Sequence, residues 1–290
     1  MACYFLSFDV SGQSIIKEIK FIGNDTTKVS VLLRQMYLKE GDTVDYNKIN
    51  NSIQSIMDLA LFKSVEYYIE ESYDPQYPDD LQARLVIQIK EKIYFLVIPR
   101  VKLRDNQLGL GIQVRWDNVF GLDHKTKLLF ERKGVTEDID EMRTRFKYDY
   151  NNVNGSDYSL FFAITSENTV DQQQDLSYQN RLDDSFQASL FKWLNDDNKK
   201  RGPYARIGIG YQYRIHETPG SQFIDNESAN FLSFGIGSKR VHTYTYNREG
   251  RFYGYDVQIS NQSIGSDADY IKTHFSSGVI LQWILGLVIT

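Results

Sequence analysis

The sequence predicts a small α+β domain in the order β-α-α-β-β, followed by an all-β antiparallel transmembrane β-barrel. Three observations predict this. Leu108, Leu110, Ile112, Val114 and Trp116 alternate without error against Gly109, Gly111, Gln113 and Arg115, the period of a strand with one apolar and one small or polar face. Similar stretches recur to the end of the chain. Residues 15–92 read differently, with two helical stripes set between short strand patterns.

Bulk properties agree. The 290 residues suffice for two domains. Tyr 20 and Phe 17 against five Pro suit strands better than helices. The net charge of −5 gives no footprint for nucleic acid. Mean hydropathy of −0.43 is compatible with a barrel, because only every second residue of a barrel strand is apolar. No segment supplies the roughly 20 apolar residues of a membrane-spanning helix; the late run Ile284–Ile289 is far shorter. Cys3 is the single cysteine, which excludes an internal disulfide and a cysteine-built metal site. Residues 1–14, apolar over Cys3–Phe8, read as a secretion-signal remnant or a tail; a basic start is missing.

The elements follow in order. Ile15, Ile16, Ile19, Phe21 and Ile22 form a strand that Gly23-Asn24 ends. Thr26 or Thr27 caps a helix over Val29–Met36, which Gly41 breaks. Asp45 caps a second helix with Ile49, Ile53, Ile56, Met57 and Ala60 along one stripe. Val65, Tyr67 and Ile69 alternate, a loop holds Pro75 and Pro78, and Leu81, Ala83, Leu85, Ile87 and Ile89 alternate again.

About ten longer strands come next: Tyr94–Arg104, Leu108–Asn118, Lys125–Lys133, Met142–Tyr150, Tyr158–Ser166, Ser185–Leu194, Ala205–Ile215, Phe231–Arg240, Phe252–Asn261 and Thr273–Trp283. Pro99 confines the first to an edge, a bulge or a lead-in. Polar, turn-rich stretches connect them: Asn151–Asp157, Asp196–Gly202, Thr218–Ser228 and Gly265–Asp269. Arg143, Arg145 and Lys147 share one face, as do Arg206 and Arg214. In a membrane barrel these point into the lumen, because a cation facing lipid costs about 2–4 kcal/mol at mid-depth. The alternative is a soluble β-sandwich with a solvated outer face. Strand length favours the barrel, since about 9–11 tilted residues cross a bilayer. Trp116, Tyr150, Tyr158, Trp193, Tyr204, Tyr213 and Trp283 lie near strand ends, where interfacial girdles form.

No catalytic chemistry is visible, and no cofactor or metal is expected. His124, His216, His242 and His274 show no ligand spacing. Gly109-x-Gly111 and Gly208-x-Gly210 sit inside strands and open no helix, which rejects a nucleotide loop. Asp183-Asp184 and Asp196-Asp197 read as solvated turn pairs, and a nucleophile elbow is missing.

Ile16-x-x-Ile19-x-Phe21-x-Gly23-Asn24-x-x-Thr27, Leu38-x-x-Gly41, Phe62-x-x-Val65 and Val86–Lys92 occur in order. Together they resemble a POTRA (polypeptide-transport-associated) domain over residues 15–92. The join from Glu91-Lys92 through Pro99 to Gly109-x-Gly111 and Asp117-Asn118-x-Phe120-Gly121 resembles the start of the barrel in the BamA/TamA superfamily, which shares its architecture with two-partner-secretion transporters. Beyond about residue 135 only the strand pattern continues to match. The resemblance implies an outer-membrane barrel over residues 93–290 with a periplasmic POTRA domain and no enzymatic activity. Its partners would be unfolded outer-membrane or secreted client polypeptides, the lipid bilayer and periplasmic accessory proteins. On this resemblance the client adds a strand to a POTRA edge at Val65, Tyr67 and Ile69 or at the neighbouring Leu85 and Ile87. The strand of Leu108, Leu110, Ile112, Val114 and Trp116 would be the barrel's seam.

Insertion, two-partner secretion and a soluble adhesion or sugar-binding protein remain as alternatives. Two departures stand out. The superfamily has sixteen strands and a late Arg-Gly-aromatic loop, whereas this sequence has about ten strands and the order Gly250-Arg251-Phe252. Its last residues, Ile289-Thr290, lack a terminal aromatic. The expectation is therefore a barrel without its C-terminal third, or else a compact ten-stranded one.

Overall fold

A computed structural model describes residues 14–73, 81–104, 107–133, 141–172, 178–195, 201–217 and 224–283. The candidate signal segment, Pro75, Pro78, Asp196-Asp197, Ile284–Ile289 and the chain's end lie outside these residues. The chain divides into two units, Met1–Glu91 and Lys92–Thr290.

The first unit runs β1 (Ile15–Ile22), α1 (Val29–Leu33), α2 (Tyr46–Asp58), β2 (Phe62–Tyr73) and β3 (Leu81–Glu91), the order the periodicity predicts. The sheet order is β1-β3-β2, with β1 parallel and β2 antiparallel to β3. A βαα crossover places its helices on one face, and that face is the core. Ile16, Leu32, Ile49, Ile56, Phe62, Leu85 and Ile87 are fully buried there. Removing such apolar area from water is the main favourable term, about 1.5–3 kcal/mol for each large side chain.

Asp45 caps α2, accepting from the Asn47 and Lys48 backbone N–H groups at 2.9 and 3.1 Å. That satisfies two of the donors every helix start leaves open. Two polar residues belong to the buried stripe that the apolar spacing does not reveal. Ser52 donates to the Lys48 carbonyl and accepts from the Tyr37 N–H, and Ser55 donates to Gln35 Oε1. These bonds tie α2 to the segment after α1. The predicted cap of α1 is corrected. The helix is only five residues long, begins after Lys28 without a side-chain cap, and Thr27 donates instead to Glu91 at 2.5 Å. Gly23 takes φ +85°, and a Cβ there would stand 2.2 Å from the Ile89 carbonyl oxygen, so the turn after β1 requires glycine.

The second unit is a ten-stranded antiparallel meander in sequence order. Its strands are β4 (Phe95–Arg104), β5 (Gln107–Val119), β6 (His124–Lys133), β7 (Glu141–Tyr150), β8 (Tyr158–Gln172), β9 (Tyr178–Trp193), β10 (Gly202–Glu217), β11 (Ile224–Thr243), β12 (Asn247–Ser260) and β13 (Tyr270–Trp283). All ten predicted strands are present, and β8, β9 and β11 run longer than predicted. The β8–β9 hairpin continues pairing from Glu167↔Asp183 to Gln172↔Tyr178. Those residues are mostly polar, with Val170 and Leu182 isolated among them, so alternation does not mark them, yet the strand pairing continues. Part of the predicted Thr218–Ser228 loop is likewise the start of β11.

The two faces of the wall differ as the alternation predicts. Leu110, Ile112, Phe130, Ile164, Ile207, Ile209, Phe234 and Ile236 are exposed on the outer face. Glycines, serines and charged side chains line the other, with an aromatic cluster of Phe191, Trp193 and Tyr204 among them. That face is concave: Lys239 of β11 lies within electrostatic range of Lys125 of β6, five strands away along the sheet.

Candidate strand edges and barrel lumen

Two sheet edges are the first candidate site. In the small sheet β3 is central, so Leu85 and Ile87 are paired on both sides, buried, and excluded from a client-binding edge. The sequence shows that the strand exists, but its place in the sheet depends on long-range pairing. β1 is an edge already in use. Ile16 N–H donates to the Asp42 carbonyl, Gly41 N–H donates to the Ile16 carbonyl, and the Ile19 N–H donates to Glu40 Oε1. Along the outer side of β2 no backbone partner is found among the described residues. Val65 is buried and Tyr67 bonds Asn50 at 3.2 Å. These side chains, with Ile69, therefore hold β2 to the helices, and what β2 offers outward is its backbone. On the solvent face Arg84 bridges Glu18 of β1 and Glu70 of β2 at 2.6 and 3.2 Å.

Glu91 closes this domain. Its carboxylate accepts from Thr26 N–H, Thr27 N–H and the Thr27 hydroxyl at 3.1, 2.8 and 2.5 Å. Partial burial pushes the carboxyl's pKa up, but the Thr27 and Thr26 hydrogen bonds outweigh it and hold the group below the ordinary glutamate value. The distant motif pieces Asn24-x-x-Thr27 and Glu91 are thus one interaction.

In the large sheet the predicted seam is also corrected. Leu108, Leu110, Ile112, Val114 and Trp116 lie on β5, which pairs with β4 on one side and β6 on the other. The sheet's two edge strands are β4 and β13, and on β4 Pro99 stands opposite Ile112. Proline has no N–H for a ladder, which is why it is tolerated there. The facing is as predicted: Leu108, Leu110, Ile112 and Trp116 are exposed outward, while Gln113 accepts from Arg100 at 2.8 Å and Arg115 pairs with Asp117 at 2.5 Å on the inner face. The turn Asp117-Asn118-x-Phe120-Gly121 follows a bulge. Asn118, Phe120 and Asp123 take φ of +62°, +56° and +60°, and the buried Asn118 side chain accepts from the Asp123 N–H at 2.8 Å. Phe120 turns outward against Trp116, which also meets Phe95.

The predicted lumen cations divide. Arg143 pairs with Glu167, Arg214 with Asp183 at 2.9 Å, and Arg206 with Asp256 at 2.7 Å. The last pair spans β11 to join β10 to β12. It passes over Gly235, where a Cβ would stand 2.1 Å from Asp256 Oδ1. Arg145 stands on the same face, opposite Leu129 and Thr165. Trp193 and Tyr204 correct the girdle expectation. They lie on the inner face with Arg206, where Tyr204 stacks on Phe191 at 5.0 Å, and its hydroxyl would meet a Cβ on Gly237 or Gly254 at 2.6 and 2.7 Å. Trp116 and Tyr158 do lie outward. Gly250-Arg251-Phe252 is part of β12, with Phe252 over Gly278. No helix is long and apolar enough to cross a membrane among the described residues.

This is a protein with one small βααββ module joined to an antiparallel barrel wall, apolar outside and polar within. Residues 14–92 match the POTRA family, described as a surface antigen variable number repeat. The fold is similar to that of BamA from Haemophilus ducreyi lacking POTRA domains 1–3, with a TM-score of 0.61 and 16% identity over 90% of this chain and 50% of that one. It is also similar to CdiB from Acinetobacter baumannii (0.55, 9%, 92% and 48%) and CdiB from Escherichia coli (0.53, 12%, 92% and 50%). The chain spans about half the length of these structures. Residues 14–92 thus carry the POTRA match, and the fold of the chain is similar to that of these barrel proteins.

Proposed function

We propose that this chain is a non-enzymatic outer-membrane assembly or translocation factor, with the barrel wall in the bilayer and the POTRA domain in the periplasm. The observation that carries this reading is the pair of strand edges, β2 in the POTRA sheet and β4 in the wall, whose outer sides carry no backbone partner among the described residues. An unfolded client adds a strand along β2 through backbone hydrogen bonds, a mode tolerant of client sequence. Handover follows to β4, where Pro99 removes one donor and keeps pairing weak. The exposed apolar outer face supports a bilayer over a soluble adhesin. In the alternative, a two-partner-secretion type of transport, the client crosses the lumen.

Two measurements test this. Extraction of the chain by detergent-free buffer would refute the membrane placement. A photo-crosslinker at the exposed Glu66 of β2 should capture unfolded outer-membrane client, while one at Lys17 of β1 should not; equal capture at both would remove the β2 edge from the mechanism. Client recovered in the medium instead of the membrane would select secretion over insertion.

A further inference from the structure

The inner face of β5, β6 and β7 carries a row of like charges. Register places Arg115 opposite Lys127, and Lys127 opposite Lys147. The rungs on either side are balanced. Towards the β5–β6 turn, Asp117, Lys125 and Asp149 alternate in sign across the same strands; further along, Glu131, Arg143 and Glu167 alternate across β6, β7 and β8. Between them lie the all-positive rung and, beside it, Arg145. Arg115 bonds Asp117, and the Lys147 ammonium stands over the Phe161 ring at 5.9 Å. Lys127 and Arg145 have no ion-pair partner among the described residues. The charges acting on Lys147 are those of Arg145, Lys127 and Asp149. From across the concave face come further cations: Arg248 acts on Lys92 and Lys239, and Lys125 on both.

Like charges directly opposite each other destabilise a sheet, and sequence offers neutral residues at no structural cost. An anion lying against the rung would offset that repulsion. Strands lie about 4.8 Å apart, so one carboxylate reaches two neighbouring ammonium groups. The rung begins about 10 Å inside the end of the wall where β4 starts, at about 3.3 Å per residue. It lies on the face away from lipid, so a lipid headgroup does not reach it, whereas a polypeptide in the lumen does. We propose that Lys127 and Lys147, with Arg145 and Arg115, form a belt that binds acidic, Asp/Glu-rich segments of a client polypeptide. This rests on the client-handling reading and names a chemical class within it.

The test uses the full chain folded in detergent micelles and labelled decaglutamate and decaglutamine peptides. Decaglutamate should bind, more weakly as salt rises, and decaglutamine should not. The double variant Lys127→Gln/Lys147→Gln should weaken decaglutamate binding about tenfold or more and raise the melting temperature of the barrel. Lys28→Gln/Lys39→Gln, which removes the same charge from the POTRA surface, should change neither. Undiminished binding in the lumen variant, equal loss in the POTRA variant, or a fall in melting temperature overturns the belt. So does competition by inorganic phosphate as strong as by the peptide at equal charge, which would make it a simple anion site. If Glu66 still crosslinks clients while decaglutamate does not bind, the belt alone fails. If decaglutamate binds through these lysines while no client is captured, the belt stands and the client-handling reading falls.

Discussion

Replacing Glu91 by alanine should loosen the POTRA domain and leave the barrel intact. The carboxylate takes three hydrogen bonds, two of them from Thr27, which is 1% exposed. The Thr26 N–H is exposed and regains water, so its loss costs little. The two Thr27 donors lose a charged acceptor inside the domain, at about 1–3 kcal/mol for such a donor. Because the carboxylate itself is only partly buried, the lower part of that range applies, and about 2 kcal/mol is expected in total. At a urea m-value of about 1 kcal/mol per molar for a domain of this size, the midpoint falls by about 2 M. Among the described residues both α-helices lie in this unit, so ellipticity at 222 nm in detergent, where the barrel stays folded, follows it selectively. The pH sign is fixed by the lowered carboxyl. Its contribution is fully present above the unfolded glutamate value of about 4.3 and is lost as pH falls through the lower folded value. Glu91→Gln should remove that acid-range slope. A midpoint unchanged by Glu91→Ala, or an acid slope that survives in Glu91→Gln, would refute this account.

Three further outcomes are expected. Ile112→Lys should block assembly into membranes, at a cost of about 2–4 kcal/mol for a cation facing mid-bilayer, while Gln113→Lys is tolerated in the lumen; heat-modifiable gel mobility reads both, and the reverse ranking would mean the register is wrong. Gly235→Val should displace the Arg206–Asp256 pair that passes over it and lower the barrel's melting temperature, with no effect on the 222 nm transition of the POTRA domain. Asn118→Ala should cost about 2 kcal/mol, from an alanine held at positive φ and the Asp123 N–H losing its acceptor; an unchanged unfolding midpoint would show that the turn adapts.

The sequence by itself determined the element types and the facing of the wall. Strict alternation over Leu108–Trp116 assigns each side chain to a face, because the strand period is two and any slip inverts it. Asp45 marks its helix start because a short acidic side chain satisfies the first N–H groups locally. Only the tertiary structure decided which strands lie at the edges. Leu85 and Ile87 alternate as an edge strand would, yet β3 is central because β1 crosses over to pair with it in parallel. The strand of Leu110 and Ile112 is second in the wall because Phe95–Arg104 pairs outside it. Edge position is a property of partners distant in the chain, and residue pattern carries no record of it. The same holds for charge. Alternation gives the inward faces of Arg115, Lys127 and Lys147, but only the register between strands sets the three opposite one another. Glu91 and Thr27, 64 positions apart, become one interaction only when the parallel pairing of β1 with β3 brings the two ends together.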